Sequence, residues 1–184
     1  MIRPLVALAA TFALVGSARP AEDPPGPKID FPDVKGLTRG KIQTFPKAEL
    51  GYSVGYSVPG FSATIYVYNL GMKKIPDGSK SDEVKGQMKQ AASDLETVRK
   101  AGVYKSVKEL GMEETIPLGK GKDAPTTLRR RFELELKGGV KLSEVYVTGY
   151  KDHFVKIRIT HDPDDKAAPE RIAALLEELG KSLK

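Results

Sequence analysis

Large and small residues alternate through the first half of the chain. Leu50, Tyr52, Val54, Tyr56 and Val58 are separated by Gly51, Ser53, Gly55 and Ser57, the period of two of a strand with one large-residue face. Pro59-Gly60 then suits the centre of a type II turn, because proline fixes φ and glycine accepts φ > 0. Residues 61–70 (FSATIYVYNL) are rich in β-branched and aromatic side chains and predict a central strand. Its odd positions Phe61, Ala63, Ile65 and Val67 share one face, and Tyr66 and Tyr68 share the other. A short strand over 41–45, stopped by Pro46, precedes this pair.

The period changes after Pro76-Asp77-Gly78. Val84, Met88, Ala91, Leu95 and Val98 recur at spacings of four and three, which gives one apolar stripe on a helix over about 81–100. Ser79 is placed to cap it, with Asp82 three residues on, and Gly102 to stop it. Residues 106–117 read as an extended segment, followed by a loop over 119–125. Leu128, Phe132, Leu134 and Leu136 then alternate with Arg129, Arg131, Glu133 and Glu135, a strand that covers a core on one side. Gly138-Gly139 and Lys151-Asp152 turn the chain twice, joining strands over 142–150 and 155–159. Ile172, Leu175, Leu176, Leu179 and Leu183 line a last helix that starts near Pro169, a good first helical residue.

Seven strands and two helices in this order predict an α+β fold: a single, mainly antiparallel sheet with a long mid-chain helix and a C-terminal helix packed against it. With that order of elements, the hairpin Val58-Pro59-Gly60-Phe61, the strand pair VYVTGYKDHFVKIRI and the closing IAALLEELGKSL, residues 37–183 resemble the PsbP-like α/β/α sandwiches. The resemblance implies a binding or assembly protein without catalytic activity.

The N-terminus carries a different signal. Met1-Ile2-Arg3, an uncharged apolar run over 5–15, and Gly16-Ser17-Ala18 follow the order of a secretory signal peptide. The run is shorter than the roughly 20 residues that span a bilayer. Residues 1–18 are therefore expected to be removed, leaving no stable membrane span and an exported protein, periplasmic or extracellular, in a bacterial envelope. Residues 19–36 hold five prolines and read as a tether, with one domain over 37–184. The chain has no cysteine, which excludes disulfides, thiol nucleophiles and Cys-ligated zinc.

Charge narrows the partners without naming one. The net charge of +6 arises from 30 Lys and Arg against 24 Asp and Glu, diluted along the chain, so nucleic acid is not an expected partner. The two histidines, His153 and His161, lie about 26 Å apart along an extended strand and cannot share a metal. Residues 161–165 (HDPDD) offer carboxylates but no glycine to bend them around a cation. No cofactor motif is present. The expected function is thus a non-catalytic module that binds a protein, a glycan or a small molecule. The alternative is a hydrolase using carboxylates and His161.

Tyrosine supplies the candidate site. Tyr66 and Tyr68 point to one face, and Tyr146 with Arg130 sits on the neighbouring strands of the 128–150 hairpin. Rings beside a guanidinium can bind a ligand by stacking. The same rings also suit packing beneath the C-terminal helix, and solvent accessibility separates these two readings.

Overall fold

The computed structural model describes residues 24–184; residues 1–18, read above as a signal peptide, lie outside them. Nine strands and two helices follow in order: β1 (Thr38–Arg39), β2 (Gln43–Thr44), β3 (Tyr52–Val58), β4 (Phe61–Tyr68), α1 (Asp82–Lys100), β5 (Ser106–Glu109), β6 (Glu114–Pro117), β7 (Thr126–Leu136), β8 (Gly139–Tyr150), β9 (His153–His161) and α2 (Ala168–Ser182). All pairings are antiparallel, in the order β1-β3-β4-β9-β8-β7-β5, with β2 also on β3 and β6 also on β7. The expected α+β class holds.

Nine strands occupy the seven tracks expected because both edges are broken. On one edge β1 and β2 take successive stretches of β3. On the other, 106–117 is a single line along β7 whose register shifts by two residues between the Glu109–Phe132 and Glu114–Arg129 pairs. Gly111, at φ 83°, turns the chain within that bulge. Broken edges are poor templates for a further strand.

Each face of the sheet carries one helix. On one face α2 buries Ile172, Leu175, Leu176 and Leu179 against Tyr52, Ile65, Tyr146 and Ile157. On the other, Val84, Met88, Ala91 and Leu95 of α1 pack with Leu128, Phe132, Val145 and Phe154. The α1 cap is Ser81, whose Oγ accepts from Val84 N at 3.3 Å. Ser79, expected in that role, pairs instead with the Thr126 hydroxyl at 2.8 Å. At the far end Val103 N donates to Val98 O and Gly102 N to Arg99 O, with Gly102 at φ 79°, the paired bonds of a Schellman stop. Close approach fixes α2: a Cβ on Gly180 would stand 1.9 Å from the Leu118 carbonyl oxygen.

The tether expectation is corrected for residues 27–34. Ile29, Phe31 and Val34 are buried in the core on the α2 face. Phe31 meets Tyr52 edge-on at 6.0 Å, the Tyr52 hydroxyl donates to Pro27 O at 2.5 Å, and the Tyr56 hydroxyl donates to Pro32 O at 2.9 Å. Burial pushes both phenols up to about 12. Its three buried apolar side chains make this proline-containing segment a strap of the fold. Replacing Phe31 by Ala is expected to cost roughly 3–5 kcal/mol in chemical denaturation, as for a core phenylalanine; a tether residue would cost less than about 0.5 kcal/mol.

Candidate functional site

Helix α1 lies off-centre. It packs over β8, β5 and β7, so the neighbouring β4 and β9 are left as the floor of a cleft along its other flank. The cleft has a volume of about 660 Å³, within the roughly 300–1,000 Å³ of small-molecule sites. Its floor is the row Ser62, Thr64, Tyr66 and Tyr68 on β4 with Lys156, Arg158 and Thr160 on β9. Leu95 and Val98 of α1, with Leu134, Leu136 and Val145, form an aliphatic wall; Phe45, Leu50, Leu70 and Met72 close the opposite end.

The register places the chemistry. Tyr66 is the direct cross-strand partner of Lys156, and Thr64 that of Arg158. Lys156 Nζ stands 4.8 Å from the Tyr66 ring centroid and 5.6 Å from that of Tyr68, within cation–π range. The Arg158 guanidinium lies 6.0 Å from the Tyr104 ring and donates to its hydroxyl at 2.6 Å. Among the described residues neither cation forms a salt bridge, although Arg129, Arg130, Arg131 and Lys141 nearby all do. Desolvation holds the Lys156 ammonium below the ordinary lysine range; Asp94, attracting it from beyond ion-pair distance, offsets part of this, and Arg158 adds to the depression.

The aromatic groups already have neighbours. Tyr66 stacks on Phe45 at 6.5 Å, and Tyr68 tilts against Phe154 at 5.6 Å. The buried Tyr68 hydroxyl lies beside Gln87 of α1 without a hydrogen bond of acceptable geometry among the described residues. Glu83, Gln90 and Asp94 of α1 complete the lining, with the Gln90 amide donating to Asp94 at 2.8 Å.

Of the four residues expected to form one site, the structure brings two together. Tyr66 and Tyr68 line the cleft. Tyr146 is on the opposite face: it pairs with Ile157, not Lys156, is fully buried under α2, and its hydroxyl donates to Glu144. Burial pushes that hydroxyl well above the usual tyrosine range. Arg130 shares the α1 face but is paired with Val145, three strands from β4, and its guanidinium is held by Glu109 through Nε at 2.6 Å. One residue of register decides this, because side chains alternate between faces: Arg129, not Arg130, stands opposite Tyr146. The cation that does meet Tyr66 and Tyr68 is Lys156, and Arg158, two residues on, meets Tyr104. Sequence reasoning missed both, because polar positions between Val155, Ile157 and Ile159 read as the outer face of a half-buried strand.

The hydrolase alternative finds little to assemble. His161 is buried on the α2 face, outside the cleft. Its Nδ1 donates to the Asp162 carbonyl at 2.8 Å and its ring stacks on Phe61 at 6.3 Å. Asp162 is paired with Lys141, and Asp165 is held by Arg171 at 2.7 Å and by Ala167 N at 3.0 Å. Among the described residues no three His, Asp or Glu are grouped to hold a metal ion, and no helix is long and apolar enough to cross a membrane.

No family model matches the sequence, and no curated protein matches it. Among solved structures, the chain is similar to the Ran-binding protein Mog1p of Saccharomyces cerevisiae, at 10% identity over 71% of this chain and 75% of that one, with a TM-score of 0.35. A point mutant of Mog1 gives 9%, 71%, 76% and 0.34. At these values the likeness carries no argument about function. It does correct two expectations. The PsbP-like family is not supported, these two neighbours being Mog1 proteins, and the α+β sandwich stands without it. The expected placement in a bacterial periplasm or outside the cell is withdrawn, the neighbour found being a protein of Saccharomyces cerevisiae.

A lysine without a carboxylate partner is a stability cost that an apolar side chain would not carry. Lys156→Met is expected to raise the unfolding free energy by about 1 kcal/mol, the low end of what apolar replacement of buried ionic groups yields. The unfolded chain keeps its Lys156 proton to higher pH than the folded chain. The gain should therefore be full at neutral pH and shrink as pH rises toward 10.5, where the folded wild-type side chain has become neutral. Chemical denaturation of both proteins at neutral and alkaline pH measures this; a variant less stable at neutral pH contradicts it.

Proposed function

We propose that this chain is a non-catalytic binding module whose ligand seat is the cleft between α1 and the β4–β9 floor. The observation that carries this reading is the pair Lys156 and Arg158. Two cations that form no salt bridge among the described residues line a concave, largely apolar site of about 660 Å³, where paired cations would be expected if structure alone were served. Uncompensated polar groups in an apolar pocket mark binding sites more often than packing. Tyr66 and Tyr68 support the site as the rings on which the lysine rests, and Tyr104 as the group that orients Arg158. The occupant is a small molecule: the cleft is flanked by a helix on one side and closed by Phe45 and Met72 at one end, which suits a compact ligand better than a flat protein surface.

The alternative of a hydrolase requires an activated nucleophile or water next to a base. The cleft supplies hydroxyls on Ser62, Thr64 and Thr160 but no histidine, and His161 faces the other way.

Amide NMR spectra of the full chain, titrated with a panel of small amphiphiles of positive, negative and zero charge, test the location. Shifts are expected to concentrate on Tyr66, Gln87, Lys156 and Arg158. Thr64→Trp, which fills the middle of the floor, should weaken any such binding by about a hundredfold or more, the loss expected when a bulky side chain takes the ligand's place, while the thermal transition stays cooperative. Shifts confined to the α2 face, or unaltered by Thr64→Trp, would contradict the proposal.

A further inference from the structure

We infer that the ligand of this cleft is a single-chain aliphatic monocarboxylate, its head between Lys156 and Arg158 and its chain along the aliphatic side chains that line the cleft. This rests on the reading of the cleft as the binding seat and adds the chemistry of the occupant. Three features of the site select that class.

The first is the spacing of the cations. Lys156 and Arg158 are two residues apart on one face of β9, so their Cα atoms stand about 7 Å apart, and both side chains lean into the cleft. One oxoanion fits between them. Arg158 offers a planar fork that matches a carboxylate, and Lys156 a point charge with rotatable donors.

The second is the lining around that pair. Asp94 and Glu83 stand on the α1 side of the cleft, and Asp94 is close enough to act on Lys156. A second negative charge on the ligand would meet them, so the site suits one anionic group and disfavours a polyanion.

The third is the division between rings and aliphatic groups. Each ring of the cleft is already engaged: Tyr66 with Phe45 and Lys156, Tyr68 with Phe154 and Lys156, and Tyr104 with Arg158. The aliphatic surface that remains for a ligand body belongs to the partly exposed Leu50, Leu70, Met72 and Leu136, because Leu95, Val98, Leu134 and Val145 are themselves buried. An aliphatic chain fills such a wall by area alone, with no stacking partner required. The cost of holding Lys156 desolvated without a carboxylate is then explained by the carboxylate that the ligand brings.

Isothermal titration of the full chain with decanoate, 1-decanol, decyltrimethylammonium and decyl phosphate, each below its micelle concentration, reads the head-group preference. Decanoate is expected to bind one to one, about tenfold or more tighter than decanol, as for a charge-assisted hydrogen bond gained over a neutral one; the cation should show no binding. Lys156→Met and Arg158→Met should each weaken decanoate about tenfold and leave decanol unchanged, while Lys156→Arg retains binding. Thermal melts keep loss of fold apart from loss of charge. Equal affinity for decanoate and decanol would overturn the head-group assignment and leave the cleft intact. Tighter binding of decyl phosphate would overturn the carboxylate assignment in the same way. Decanoate binding that survives Thr64→Trp would place the ligand elsewhere and overturn both readings, and no heat with any of the four overturns this inference alone if the amphiphile panel still shifts the cleft amides.

Discussion

The β4–β9 ladder is the interaction on which both the fold and the site depend. It joins the two halves of the chain across about a hundred residues. Its register runs without a slip from Phe61–His161 to Tyr68–Phe154. One face of that ladder, Ala63, Ile65, Val67, Val155, Ile157 and Ile159, is the floor of the α2 core. The other carries Thr64, Tyr66, Lys156 and Arg158. A slip of one residue would turn isoleucines into the cleft and cations into the core, so the apolar face holds the polar face in register. The proposed binding chemistry therefore stands on a continuous ladder backed by the α2 core, where preorganised side chains lose little freedom on meeting a ligand.

The asymmetry of the two layers follows from helix placement. On the α2 face the strap over 27–34 fills the space that the helix leaves, burying Ile29, Phe31 and Val34. Among the described residues the α1 face has no such strap. There the floor of β4 and β9 is left to polar and aromatic residues, whose exposed atoms are water-compatible and whose rings are shielded by Lys156. Tyr68 shows the boundary between the two regimes: its ring belongs to the α1 core, while its hydroxyl is buried at the edge of the cleft.

Most of the architecture was legible from periodicity. Long patterns such as Val84–Met88–Ala91–Leu95–Val98 and Leu128–Phe132–Leu134 admit one reading, and both helices stand within a residue or two of their expected limits. The strap was not legible because proline content outweighed three well-spaced apolar residues. The candidate site was half legible for a similar reason. Parity along one strand is visible in sequence, so Tyr66 and Tyr68 were placed together. Parity between strands depends on which residues pair across each turn. The two-residue Lys137-Gly138 loop, which pairs Leu136 with Gly139, sends Tyr146 and Arg130 to opposite faces. Lys156 and Arg158 were hidden for the opposite reason, since polar residues alternating with Val and Ile are the ordinary outer face of a strand. Only the sideways placement of α1 turns that face into a cleft.

The central claim is that a carboxylate completes the site that Lys156 and Arg158 begin, and a crystal structure of the full chain grown with decanoate tests it most directly. Carboxylate oxygens are expected about 3 Å from Lys156 Nζ and from the Arg158 guanidinium, with the alkyl chain against the aliphatic side chains that line the cleft. Decanoate seated instead on the Arg129–Arg131 edge, or in the cleft with its head turned to solvent and its tail over Lys156, would contradict it.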